Sequence, residues 1–178
     1  MISHIGTYAQ VDEIPAKPQS YLSIQSGVTM VLSTIDLDNW WFFGYRLFIE
    51  YQREIGQNFL VGISYEGMIP LCVEKFEPLV HFLSLNGYYK LNLYKDHIYL
   101  VPGLGLGLMH HYGNRKNELG IAVNASLILN IRILKNTYIE LSPLVLGPMK
   151  AYYSPLNFRR YNLLLAMPFW AFGIRTRL

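Results

Sequence analysis

Long hydrophobic runs are missing from this 178-residue chain, although 52% of its residues are hydrophobic. No stretch of about 18 uninterrupted apolar residues occurs, which excludes a transmembrane helix. The greasiest window, residues 98 to 109, is broken by Pro102, Gly103, Gly105 and Gly107, which a helix tolerates badly. Charge is scarce as well: 15% of residues are charged, against about 25% in a soluble domain. Cysteine is nearly absent. Cys72 stands alone, so no internal disulfide forms, and no flanking residue suggests an activated thiol. The net charge is a mild +3, without a basic stripe interleaved with aromatics, which leaves nucleic-acid binding unsupported. No nucleotide loop, zinc-ligand spacing or catalytic carboxylate pair occurs. We therefore expect no cofactor, no metal site and no catalytic residue.

What is present is apolar alternation of period two, from near Tyr21 to Leu178. Tyr45, Leu47, Ile49 and Tyr51 share one parity, and Arg46, Glu50 and Gln52 the other. Leu83, Leu85, Tyr89, Leu91 and Leu93 alternate with Ser84, Asn86, Tyr88, Lys90 and Asn92. Ile121 to Ile133 repeat the pattern against Asn124, Ser126, Asn130 and Arg132. Successive side chains of a strand point to opposite faces, so each run has one greasy and one polar face. The alternation predicts about eight strands, the smallest common number for a membrane barrel. They cover residues 21–33, 43–55, 59–66, 79–94, 98–112, 118–134, 138–148 and 161–178.

Residues 1–19 read as an extended leader, with Pro15 and Pro18 opposing regular structure. Residues 20–178 form the barrel domain. Thr7 to Gln10 resembles the end of a secretory signal cut after Ala9, but the charged start and apolar core are absent. Two readings stand: a remnant of a signal whose start lies upstream, or an ordinary tail.

The connectors alternate in length. Gly56 to Asn58, Lys95-Asp96 and Lys135 to Thr137 read as tight hairpin turns. Longer stretches lie between them, at 34–42, 67–78, 113–117 and 149–160. With antiparallel strands of even number, all short turns and both chain ends fall at one end. Roughly two-thirds of the charged residues fall in the leader, turns and loops, where water is available. Aromatics flank the long loops (Trp40, Trp41, Phe42, Phe43, Tyr152, Tyr153, Phe158, Tyr161) and the short turns (Phe59, Tyr94, Tyr138), as interfacial girdles do.

Alternation alone does not separate a membrane barrel from a soluble lipocalin-like one. The polar parity decides. A water-facing surface is rich in Lys and Glu. Here that parity holds Ser84, Asn86, Tyr88, Asn92, Gly103, Gly105, Gly107, Asn124, Ser126 and Asn130, with a few charges of both signs. Small neutral residues suit a narrow lumen, where the glycines leave room for Arg46, Tyr88 or Lys90.

The strand region resembles the small outer-membrane β-barrel proteins of Gram-negative bacteria, the eight-stranded porin-like superfamily. The resemblance rests on the strand pattern, the turn asymmetry and segments such as Gly87 to Leu91 and Pro102 to Gly107. The last strand is its most specific part: Trp170, Phe172, Ile174 and Leu178 share one parity, like that family's C-terminal assembly signal. Members usually end in an aromatic residue, whereas this chain ends in Leu178. The resemblance implies an eight-stranded antiparallel up-and-down transmembrane barrel in the outer membrane. It also implies the barrel-assembly machinery as a partner during insertion.

Three constellations are candidates for function. Arg46, Glu50, Lys90, Arg132, Glu140 and Arg175 form the polar network expected in the lumen, with Arg132 facing Glu140 across a three-residue turn. Unpaired buried charge is expensive, and an eight-stranded lumen is just wide enough for its side chains, so the network reads as a plug. The histidines come second. Adjacent His110 and His111 point to opposite faces and cannot easily share an ion. A lipid A-cutting enzyme would need a Ser and an acid beside His110, and no such spacing occurs. Third, Arg115, Lys116, Lys150, Arg159 and Arg160 lie on the long-loop side, where lipopolysaccharide phosphates are natural partners. The expected function is structural or surface-binding work by a non-enzyme in contact with outer-membrane lipid. A narrow channel for ions or small hydrophobic solutes is the alternative. A soluble binding barrel and a lipid A-modifying enzyme rank below it.

Overall fold

A computed structural model of the chain describes residues 18–33, 40–70, 80–95, 97–112, 117–151 and 163–178. The leader at 1–17 and most of each long loop lie outside the described residues. The strands are β1 (Ser20–Ser33), β2 (Trp40–Glu54), β3 (Phe59–Pro70), β4 (Val80–Tyr89), β5 (Leu91–Tyr94), β6 (Ile98–Tyr112), β7 (Asn117–Leu134), β8 (Thr137–Ala151) and β9 (Leu163–Arg177). Every pairing is antiparallel, and each strand pairs with its sequence neighbour except at two places. β1 also pairs with β9, and β4 pairs with β6 from Val80↔His111 to Tyr88↔Gly103, which closes the ring. β4 and β5 are one interrupted strand, so the ring has the expected eight members. The interruption is the first departure from the sequence reading. β3 begins at Phe59, opposite Tyr89, so the chain beyond Tyr89 outruns its neighbour. Lys90 N donates to Asn58 O of the preceding turn, and Leu91 to Tyr94 pair with β6 alone. All four are exposed, so Asn92 does not face the lumen as its parity predicts.

Both described chain ends join the short-turn end. Leu178 N donates to Ser20 O at 2.9 Å, and Arg177 N to Asn136 O at 2.7 Å. The ladder between β8 and β9 is interrupted between Ser142 and Met149. Pro143, Pro148 and Pro168 lie in or opposite this stretch, and proline has no N–H to donate.

The two parities separate cleanly. Ile49, Ile63, Leu85, Leu106, Ile121, Phe172 and Ile174 face outward and are exposed. Ser23, Gln25, Glu50, Gln52, Ser64, Ser84, Asn86 and Glu140 face inward and are buried. A soluble monomer rarely exposes a contiguous apolar patch beyond a few hundred Å², whereas here apolar side chains dominate the outer face among the described residues. The greasy parity is the outer one, which disposes of the lipocalin-like arrangement. Phe59 and Tyr94 stay exposed beside short turns. Tyr138 does not join them as a girdle residue: it turns inward, edge-on to Tyr21 and Tyr99.

Candidate functional site

The inward positions of β3 and β4 read apolar, polar, apolar along the barrel axis. On β4 they are Val80 and Phe82, then Ser84 and Asn86, then Tyr88; on β3 they are Met68, then Glu66 and Ser64, then Leu60. The lumen therefore has three layers. Met68, Val80, Phe82, Met109 and Ala122 pack together toward the long-loop end. Tyr21, Leu60, Tyr88, Tyr99, Val101, Ile128 and Tyr138 pack toward the short-turn end. Polar side chains fill the space between. The sequence reading expected a lumen of small, uncharged polar residues with Tyr88 and a few charges, and did not anticipate the two apolar layers that Tyr88 and its neighbours help to form.

Glu50 is the hub of the polar layer and is fully buried. Its Oε2 accepts from Gln52 Nε2 at 2.5 Å, and its Oε1 from Asn86 Nδ2 at 2.7 Å. The Tyr88 hydroxyl donates between the two oxygens, at 2.8 and 3.0 Å. Asn86 Nδ2 also reaches Ser64 Oγ at 2.8 Å, and Ser64 meets Ser84 at 2.7 Å. These bonds span β2, β3 and β4, with glycine supplying the room. A Cβ on Gly62 would lie 2.4 Å from Glu50 Oε1, and one on Gly103 would lie 2.2 Å from two carbons of the Tyr88 ring. Glu50 thus crosses β3 over Gly62, and Tyr88 crosses β6 over Gly103. Of the three side chains expected over the β6 glycines, Tyr88 is the one that occupies the room.

Arg46 instead reaches β3, where its Nε donates to Glu66 Oε1 at 2.6 Å and its Nη2 to Oε2 at 3.3 Å. This ion pair is buried, with side-chain exposures of 3% and 1%. Glu66 is a site residue the sequence reading missed, since it was taken as the end of its strand. β3 runs on to Pro70, which places Glu66 well inside.

On the other side of the lumen, Glu140 accepts from Ser23 Oγ and, at 3.0 Å, from Gln25 Nε2. Ser142 Oγ donates to Gln25 Oε1 at 3.1 Å. Arg175 lies buried with its guanidinium 3.9 Å from the centre of the Tyr21 ring, a cation–π contact. Its Nε and Nη1 have no hydrogen-bond partner, nor has Glu140 Oε1.

Two expected members stand apart from this network. The β7–β8 turn has two residues, Lys135 and Asn136, rather than three. Together with a bulge between Arg132 and Leu134, this turn sets Arg132 opposite Tyr138 and Asn130 opposite Glu140. Arg132 folds back onto the turn, donating to Leu134 O at 3.2 Å and Lys135 O at 2.7 Å. Lys90 sits at the β4–β5 interruption with its Nζ 4.9 Å from the centre of the Tyr99 ring. Of the six residues named, the structure buries Arg46, Glu50, Glu140 and Arg175 in the lumen, with Arg175 set against Tyr21 and Tyr99 of the short-turn layer. Arg115, Lys116, Arg159 and Arg160 lie outside the described residues, as does the Lys150 side chain.

The chain matches no family model and no curated protein. Its fold does match solved structures. Neisserial surface protein A aligns over 88% of this chain and 97% of its own, with a TM-score of 0.65 at 8% identity. The N-terminal β-barrel domain of OprF from Pseudomonas aeruginosa aligns over 91% and 100%, with a TM-score of 0.53 at 9% identity. Ail, the attachment invasion locus protein of Yersinia pestis, aligns over 90% and 99%, with a TM-score of 0.50 at 13% identity. The closed ring, its apolar outer wall and these likenesses together give the chain the fold of the small eight-stranded outer-membrane β-barrels.

Proposed function

We propose that this outer-membrane barrel does structural or surface-binding work, with a lumen closed by its own side chains. The observation that carries the reading is the saturated Glu50 hub, held between two apolar layers. A carboxylate with several neutral donors already bound has little call for a passing ion, and each apolar layer adds a dehydrated barrier. Work at the surface then falls to the long loops. Arg115, Lys116, Lys150, Arg159 and Arg160 supply cations suited to lipopolysaccharide phosphates, with outer-membrane lipid around the wall and the barrel-assembly machinery as the insertion partner. No catalytic step is assigned to the chain.

A narrow channel is the second reading, and one observation favours it. Among the described residues, the buried lumen holds three carboxylates against two guanidinium groups, and Arg175 and Glu140 keep unpartnered atoms that water would fill. Planar-bilayer recording of the purified barrel separates the two readings. The plug predicts a silent bilayer; stable, ion-selective current steps would establish the channel instead.

A further inference from the structure

Two histidines meet in a way that their spacing in the sequence does not suggest. His110 does not need His111 as a neighbour, because β4 pairs with β6 and sets His81 directly opposite His110. Both share the parity of Leu83 and Leu108, so both face outward. They lie at the long-loop end, His81 being the second residue of β4 and His110 two residues before the end of β6. That is the long-loop edge of the described wall.

The two imidazoles stack with centres 6.1 Å apart and planes inclined by 22°. An imidazole nitrogen binds zinc at about 2.0–2.1 Å, so two rings sharing one ion have centres no more than about 6.5 Å apart. The observed spacing lies inside that ceiling and above the roughly 5 Å that a tetrahedral angle at the ion gives, so the two rings turn toward each other when they bind. A third residue orients the pair. The Tyr65 hydroxyl lies 2.6 Å from His81 Nδ1. Metal at Nε2 selects the tautomer in which Nδ1–H donates to the phenol oxygen, the outer-shell arrangement that fixes most metal-binding histidines. Gly67 lies opposite His81 on β3, and the Tyr65 ring passes beside it, its hydroxyl 3.5 Å from where a Cβ would stand.

We propose that His81 and His110 form a cross-strand, two-nitrogen site for a divalent transition-metal ion of the zinc class, with Tyr65 positioning His81. The remaining coordination positions face outward, toward water. Neutral imidazole nitrogens suit such ions, whereas calcium and magnesium prefer oxygen ligands. A bound ion would also tie β4 to β6, the pairing that closes the ring.

The test is calorimetric titration of Zn²⁺ into the untagged, chelator-stripped full chain in detergent. Heat-modifiable gel migration confirms that each variant is folded. The proposal expects one ion per chain. His81→Ala and His110→Ala each weaken binding at least tenfold, Tyr65→Phe weakens it roughly tenfold, and His4→Ala, His97→Ala and His111→Ala leave it unchanged. Absence of binding in the unaltered chain would overturn it. So would binding that survives His81→Ala but is lost with His111→Ala, which would place the ion on adjacent residues instead. Magnesium of equal or greater affinity would also count against a nitrogen site.

Discussion

Replacing Gly103 by alanine sets one methyl group against the ring of Tyr88. The new Cβ would lie 2.2 Å from both Cδ1 and Cε1 of that ring and 3.1 Å from Ser126 Oγ. No real contact is that short, so the ring must move. Its hydroxyl is anchored on Glu50, and moving the ring breaks that anchor. Overpacking a filled interior costs about 1–3 kcal/mol, and a hydrogen bond to a charged group contributes about 1.5–3 kcal/mol. We expect Gly103→Ala to destabilise the barrel by about 2–4 kcal/mol, allowing for partial relaxation. With a urea slope of about 1–3 kcal/mol per molar, the unfolding midpoint falls by roughly 1–2 M. The assay is equilibrium urea unfolding in lipid vesicles, followed by tryptophan fluorescence. The same substitution in a Tyr88→Ala background should cost little, giving a coupling of about 1–3 kcal/mol. Gly87→Ala is the control, since a Cβ there meets nothing within 4 Å. Equal costs for Gly103→Ala in both backgrounds would refute the crossing of Tyr88 over β6.

Two further predictions use the same unfolding assay. Leu106→Arg places a guanidinium on the outer wall near the middle of β6 and should cost about 2–4 kcal/mol, whereas Ser126→Asn, on the lumen face, should assemble normally; equal tolerance would mean the faces are reversed. Arg46→Met leaves Glu66 buried without its partner and should cost about 3–5 kcal/mol, while Arg46→Met with Glu66→Leu should recover most of the loss; a double variant as weak as the single one would show that the ion pair itself stabilises the barrel.

The wall was legible in the sequence because a strand's parity is local: Leu104, Leu106 and Leu108 declare one face without knowledge of any neighbour. The strand number and turn asymmetry followed from the same signal. The lumen was less legible because its contacts depend on register. One residue fewer in the β7–β8 turn, with a bulge between Arg132 and Leu134, moved Arg132 from Glu140 to Tyr138. Reading Glu66 as a strand end hid the partner of Arg46. The inward-facing Phe82, Met109 and Tyr99 look like wall residues until their neighbours are known. Tyr88 was one of three side chains expected in the room left by Gly103, Gly105 and Gly107, since a glycine on the polar parity asks what fills its space. The meeting of His81 with His110 had no signal in the spacing of either residue, for it arises from the β4–β6 pairing alone.

The central claim is that greasy side chains face lipid and polar ones face a filled lumen. The direct measurement places single spin labels along β4 and β6, with Cys72 replaced by Ser. Collision with lipid-dissolved oxygen is then compared with collision with a water-soluble relaxing agent. The account predicts period-two alternation, with labels at Leu83, Leu85, Leu104 and Leu106 reached by oxygen and labels at Ser84 and Asn86 reached by neither agent. Labels at Ser84 and Asn86 reached freely by the water-soluble agent would contradict it.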